Sequence, residues 1–412
     1  SDWSSDVCSS DLLMDPPELE QLTGVGVYYS GNQGVGGVIK REPIDFVVEE
    51  ESQPGVYASI DPDVVDGFQG GEGDYVHFTL VKRNWSVFRA VKMLSRRLHV
   101  SRNRFSYAGT KDKDALTGQR MSVYGVDESR LSDVGLRDIW LKEFTRSHKP
   151  VLMGDLVGNR FRVIVRDIQL DVSEAREQVE AIRGELSAGF PNFFGIQRFG
   201  FQRPITHEVG KCMVLGDFKS AVEAYLFGHL DNPFESKEAR AFRERAGEGD
   251  YAGALGIAPK YLGHEKSLLN HLVANPDDYA GALKAFPPNL QSMFVHAFQS
   301  YVFNKSLTEC IKRGYTVQEL PLAGFDSRPD ELTSRILEEE GVGLSDFSMR
   351  GFPQASSGGS RREAFAFARD LGYDVSLDEE GGVKAEFTFS LRSGSYATVF
   401  LREFMKNQYW KK

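Results

Sequence analysis

Tyr75, His77, Thr79 and Val81 alternate with Val76, Phe78 and Leu80 through DYVHFTLVKRN, a period of two that predicts a strand from Asp74 to Asn84. NRFRVIVRDI, Asn159 to Ile168, alternates in the same way. GVGGVIKREPIDFVVEE, Gly34 to Glu50, predicts two strands with a break at Pro43 between them. The period becomes helical in SVFRAVKMLSRRLHV, where Val87, Ala90, Val91, Leu94 and Leu98 share a face behind Ser86 as N-cap. SEAREQVEAIRGELSAGF repeats that pattern with Ala175, Val179, Ile182 and Leu186, with Ser173 as cap and Gly189 as its end. Between these helices, FSYAGTKDKDALTGQRMSV (Phe105 to Val123) sets two strand-like pieces around a polar loop.

After about Pro204 the pattern is helical, ending in a long run opened by Pro287 and Pro288. Gly314 to Ala385 has no clear period, and GFPQASSGGSRRE within it reads as a flexible loop. KAEFTFSLRSGSYATVFLREFMK, Lys384 to Lys406, reads as a hairpin-like pair of strands. A β-rich start, a helical middle and a β-rich end predict an α+β fold with a mixed or antiparallel sheet, one domain being interrupted by another.

The chain has 412 residues, too many for one small core, so two domains are expected. With 41% hydrophobic and 26% charged residues it has the composition of a soluble globular protein. No apolar run is long enough to span a bilayer, and no membrane partner is expected. Cys8, Cys212 and Cys310 are few and scattered, which suits a reducing, cytoplasmic setting and no disulfide framework. Ser1 to Leu12 has no period and reads as a translated sequencing adapter, so the native chain is expected to begin near Leu13 or Met14.

The net charge of -10 taken alone argues against a nucleic-acid partner. Basic runs change that picture: Lys92 to Arg104, Lys142 to Lys149 and Gln197 to Arg203. Each by itself fits a solvated face, but an acidic protein can carry a basic cleft.

Several chemistries find no support. GVGG precedes a strand rather than following one, and neither GxxxxGK[ST], HExxH nor GxSxG occurs. The histidines are scattered, so no metal site is expected. Two stretches remain. GTKDKD holds Asp112 and Asp114 among Lys111, Lys113 and Arg120, and its spacing fits a solvent-facing hairpin as well as a catalytic floor. PNFFGIQRFGFQR (Pro191 to Arg203) combines phenylalanines, Asn192, Gln197 and two arginines, groups that stack on bases and bind phosphates, or that pack as a buried aromatic turn.

Taken together, IKREPIDFVVEE, YAGTKDKDALTGQ, NFFGIQRFG and SGSYATVFLRE resemble, in order, four motifs of the TruD family of tRNA pseudouridine synthases. The resemblance spans roughly Pro16 to Lys406 and looks like the family's archaeal-type branch. It implies a pseudouridine-synthase catalytic domain (13–215 and 376–412) interrupted by an inserted α/β TruD-specific domain (216–375). It implies isomerisation of a tRNA uridine, typically position 13, without a cofactor. By motif, Asp112 becomes the nucleophile and Lys40 its basic partner. Phe46, Asn192 and Tyr396 fall on positions that contact the target nucleotide, and Phe194 on an aromatic position. A basic cleft between the domains is expected, with Lys40, Arg41, Lys111, Lys113, Arg198 and Arg203 as RNA-facing groups. The alternative is a catalytically weak RNA-binding protein or tRNA chaperone on the same fold. A more distant reading is a metal-independent hydrolase. Asp114 stands where relatives often carry a basic residue, and a second carboxylate beside Asp112 would oppose its ionisation unless it faces solvent.

Overall fold

Seven strands with alternating or continuous apolar faces form the main path of one sheet: β1 Phe46–Gln53, β2 Tyr75–Arg83, β3 Leu116–Tyr124, β4 Ile139–Ser147, β5 Gly158–Ile168, β6 Arg369–Leu377 and β7 Val383–Arg392. Their order across the sheet is β6-β7-β5-β1-β3-β2-β4. The structure is a computed structural model that describes residues 14–201, 203–229 and 235–407, so the Ser1 to Leu12 segment lies outside the described residues. Neighbouring strands on this path are antiparallel except β1 and β3, where Val47 lies beside Leu116 in parallel register. The fold is α+β with a mixed sheet.

That single parallel pairing matters for the site. Parallel neighbours begin at the same end of a sheet, so the residues leading into β1 and into β3 come together. Lys40 precedes β1 and Asp112 precedes β3. Antiparallel β2 finishes at that end too, with Lys82 opposite Thr117.

The chain divides into two compact units. One holds residues 32–190 and 366–412, and contains the sheet. Here the apolar face of the Val87–Leu98 helix covers Val76, Phe78, Leu80, Met121 and Val123. Elsewhere in the same unit, Phe400 packs on Phe389 and Phe404 at 4.7 and 5.2 Å between ring centroids.

The other unit holds residues 1–31 and 191–365 and is mostly helical. Its longest helix, Pro288–Lys312, opens on Pro288 at the first helical position, where a missing N–H breaks no hydrogen bond. The Thr206–Val214 helix runs close against it at Gly210: a Cβ there would sit 2.0 Å from the Phe294 carbonyl oxygen. This packing draws residues 191–215 into the helical unit, whereas the sequence reading placed the junction at 215/216. The segment before Gly31 joins the same unit through Asn304, which donates to the Thr23 carbonyl at 3.0 Å, and Thr308, which donates to that of Gly24 at 2.9 Å. Strand β6 pairs with β7, so residues 366–375 belong with the sheet.

Three further details differ from the sequence reading. The expected second strand of the C-terminal pair is a helix, Ala397–Met405. All nine of its residues are buried, so it has no polar face to reveal a helical period. The helix expected to start at Ser173 is capped by Asp171, whose carboxylate accepts from the Ser173 and Glu174 amides while the Glu174 carboxylate accepts from the Asp171 amide. The stretch with no clear period contains β6, the Glu331–Glu339 helix and an antiparallel pair, Glu319–Leu322 with Ser360–Glu363. Among the described residues no helix is long and apolar enough to cross a membrane.

Candidate active site

The strand-like pieces around GTKDKD do pair, with Phe105 opposite Val123 and Tyr107 opposite Met121. The loop between them is not a free hairpin tip. Gln119 Nε2 donates to the Gly109 carbonyl at 3.2 Å. Lys111 Nζ meets Glu50 Oε2 at 2.6 Å, and both side chains are almost fully buried. The other Glu50 oxygen accepts from the Arg120 amide at 3.1 Å, which satisfies the buried carboxylate on both sides. Lys82 Nζ donates to the backbone carbonyl of Asp112 at 2.7 Å.

On this fixed backbone the Asp112 side chain accepts from Lys40 Nζ through Oδ1 at 3.1 Å. Lys40 is 18% exposed and Asp112 45%, so one carboxylate edge is paired while the side chain stays open to solvent. Lys40 has a left-handed backbone, φ 58°, uncommon for a residue with a side chain. Its ammonium lies 4.1 Å from the Phe46 ring centroid. Phe46 itself is buried, edge-on to Phe161 at 6.2 Å. It therefore backs the ammonium rather than presenting an open face to a base. Asp114 is exposed and has no hydrogen bond or ion pair among the described residues.

Lys82 is the group the motifs did not signal. It is fully buried at the end of β2, and burial lowers its ammonium to about 8, against the opposing pull of Asp112. Within β2 it reads as one more polar residue after an apolar run. Its link to Asp112 exists only once β2 lies beside β3.

The expected cations have different settings. Lys113 is exposed and has no ion pair among the described residues. Lys111, expected to face RNA, is instead sealed against Glu50, because that buried carboxylate needs a counter-charge. Arg41 pairs with Asp167 at 3.1 Å and Glu380 at 3.4 Å. Tyr396 is half-buried at the N-cap of the Ala397–Met405 helix, not on a returning strand.

The third motif lies in the helical unit. Asn192 donates to the Glu363 carbonyl at 3.0 Å and accepts from Arg362 through its side-chain oxygen at 2.7 Å. The Arg362 guanidinium sits 4.1 Å from the Phe194 ring centroid, and Phe194 meets Phe303 edge-on at 5.5 Å. Both Asn192 and Phe194 are buried. The Phe194 backbone is clamped by Asn304, which accepts from its amide at 2.9 Å and donates to its carbonyl at 3.0 Å. Neither Arg362 nor Asn304 was signalled by the motif. Arg198 touches Ser300 Oγ at 3.3 Å and lies 5.9 Å from the Phe194 ring. Arg203, the other expected RNA contact here, points into the protein and donates to the carbonyls of Tyr225 and Leu226; burial lowers it to about 10.

A buried lysine, a lysine over an aromatic ring and a pinned loop thus converge on one half-open aspartate. The chain matches the family model for tRNA pseudouridine synthase D (TruD) over residues 22–324 and 320–404. It is 36% identical to a "Probable tRNA pseudouridine synthase D" of Methanosarcina barkeri, covering 95% of this chain and 98% of that one. A protein of the same description from Methanopyrus kandleri is 38% identical, with 82% and 87% covered. The crystal structure of TruD from Methanosarcina mazei superposes with a TM-score of 0.77 at 36% identity, over 95% of this chain and 99% of that one. Sequence and fold agree over nearly the whole length, and the chain belongs to the tRNA pseudouridine synthase D (TruD) family.

Proposed function

We propose that this isomerase converts a flipped-out uridine of tRNA, at position 13, to pseudouridine with Asp112 as the nucleophile. The observation that carries the reading is the half-open Asp112 carboxylate, held by Lys40 at 3.1 Å on a loop whose backbone is fixed by Lys82. The N1–C1′ bond breaks, the uracil turns while still bound, and C5 joins C1′. C5 loses its proton and N1 gains one, so every atom is retained and no oxidant, reductant or cofactor is needed. Addition of the carboxylate to C6 of uracil and attack at C1′ of the ribose both require an ionised aspartate, and the Lys40 contact orients that carboxylate.

A stacked base hides its glycosidic bond, so the nucleotide must leave the stack, and aromatic planes replace the lost contacts. Tyr396 is assigned that role in the sheet unit, with Phe46 acting through Lys40. Asn192 and Phe194 are assigned to the nucleotide by their motif, in a setting ordered by Arg362. Lys113 and Arg198 are assigned to phosphates. Incubation of the protein with an unmodified tRNA transcript is expected to yield pseudouridine at position 13, and a transcript with cytidine there to yield none. Equal pseudouridine in both transcripts contradicts the assignment of position.

A further inference from the structure

Residues Trp85 to Arg104 carry six cations (Arg89, Lys92, Arg96, Arg97, Arg102 and Arg104) and no aspartate or glutamate, in a chain of net charge -10. All six are exposed. Among the described residues none has a carboxylate within ion-pair distance. Elsewhere in the same unit Arg41, Arg160, Arg166 and Arg369 each meet an acid. The sequence keeps this face positive at the expense of the helix beneath it. Lys92 and Arg96 repel one turn apart, and Arg89 stands in a first turn that holds no acid, where the helix dipole favours one.

Two aromatics share the face. Phe88 is 64% exposed, with the Arg102 guanidinium 5.4 Å from its ring centroid. The Arg89 guanidinium lies 4.3 Å from the Trp85 ring. Arginine beside an outward aromatic ring is the combination that binds phosphates and stacks on exposed bases. The face also connects to the candidate active site: Trp85 follows Lys82 by three residues, and the Asn84 amide donates to the Ala115 carbonyl, at the end of the Asp112 loop, at 3.1 Å.

We propose that the outer face of the Val87–Leu98 helix, with Arg102, docks the phosphate backbone of the substrate tRNA away from the uridine that reacts. This rests on the tRNA reading of the active site and adds where the rest of that molecule is gripped. The unpaired positive charge selects a polyanion, and the aromatic–arginine pairs favour RNA over an acidic protein surface.

The test is a triple variant, Arg89→Ala/Lys92→Ala/Arg96→Ala, in the full chain. These side chains are exposed, and its melting temperature is expected to match the parent. KM for tRNA is expected to rise at least about tenfold with kcat within about twofold, and the slope of log K against log salt to flatten by about 2.7 for three lost phosphate contacts. Parental KM and parental salt slope overturn the proposal. So does unchanged tRNA affinity together with lost binding to phosphatidylglycerol vesicles, which would assign the face to a lipid surface. Binding and turnover separate the two readings. Loss of tRNA affinity in the variant, with no pseudouridine formed by the parent, supports the docking face and removes the proposed reaction. Pseudouridine formation with no change in the variant does the reverse.

Discussion

Lys40 and Lys82 hold the same aspartate by different atoms, and their environments give them different tasks. Lys40 pairs with the carboxylate at a partly exposed site, where such a pair contributes at most about 1 kcal/mol to stability. Its importance is to orient the carboxylate. Lys82 is buried and holds the Asp112 carbonyl, which fixes the loop. Its ammonium is lowered to about 8 from an ordinary 10.5, chiefly by burial. Between those values the unfolded chain keeps a proton that the folded chain has released. Stability from this group therefore rises with pH through that window, and the buried charge is a burden below it. Activity should move the other way, because the cation beneath Asp112 is lost above about 8. We expect kcat/KM to fall on the alkaline side with an apparent pKa near 8, and Lys82→Met to be slower with no such limb. A parental profile that stays flat well above this range would rule out the role given to Lys82.

Elements carry these residues to their places, and some were legible in the pattern while others were not. β2 and β5 were legible from their period of two, although the structure buries Phe78 to Lys82 and Val163 to Val165 on both faces. The Val87–Leu98 helix showed both its stripe and its cap, and Ser86 Oγ accepts from the Arg89 amide at 3.3 Å. The Ala397–Met405 helix was illegible for the opposite reason: it is buried on every side, and its β-branched start resembles a strand. In the helical unit, Asn304 is a fully buried amide in a helix that buries several other polar side chains, and nothing local marks it as the group that joins Thr23 to Phe194. Asn304→Ala leaves two carbonyls and one amide without their partner. It is expected to destabilise the protein by about 2–4 kcal/mol, measured as a lower denaturant midpoint. A midpoint equal to the parent's would show that the clamp is dispensable.

Across the whole molecule, the candidate site was legible where chemistry is written in local motifs. Asp112 and Lys40 are each embedded in a distinctive run, and the structure brings Lys40 to Asp112 across 72 residues of chain. What sequence hid was tertiary. Glu50 neutralises Lys111, and Lys82 reaches Asp112 only through strand order. Arg362 reaches Asn192 from a segment that reads as loose loop. Global charge misled for a related reason: acids dominate the count, yet the Trp85 to Arg104 segment holds none. The central claim is that Asp112 performs the chemistry, and Asp112→Asn tests it most directly because the amide keeps the size of the carboxylate and removes its charge. With an unmodified tRNA transcript as substrate, the account predicts no detectable pseudouridine, with tRNA affinity and melting temperature close to the parent. Pseudouridine formed at the parental rate by Asp112→Asn would contradict it.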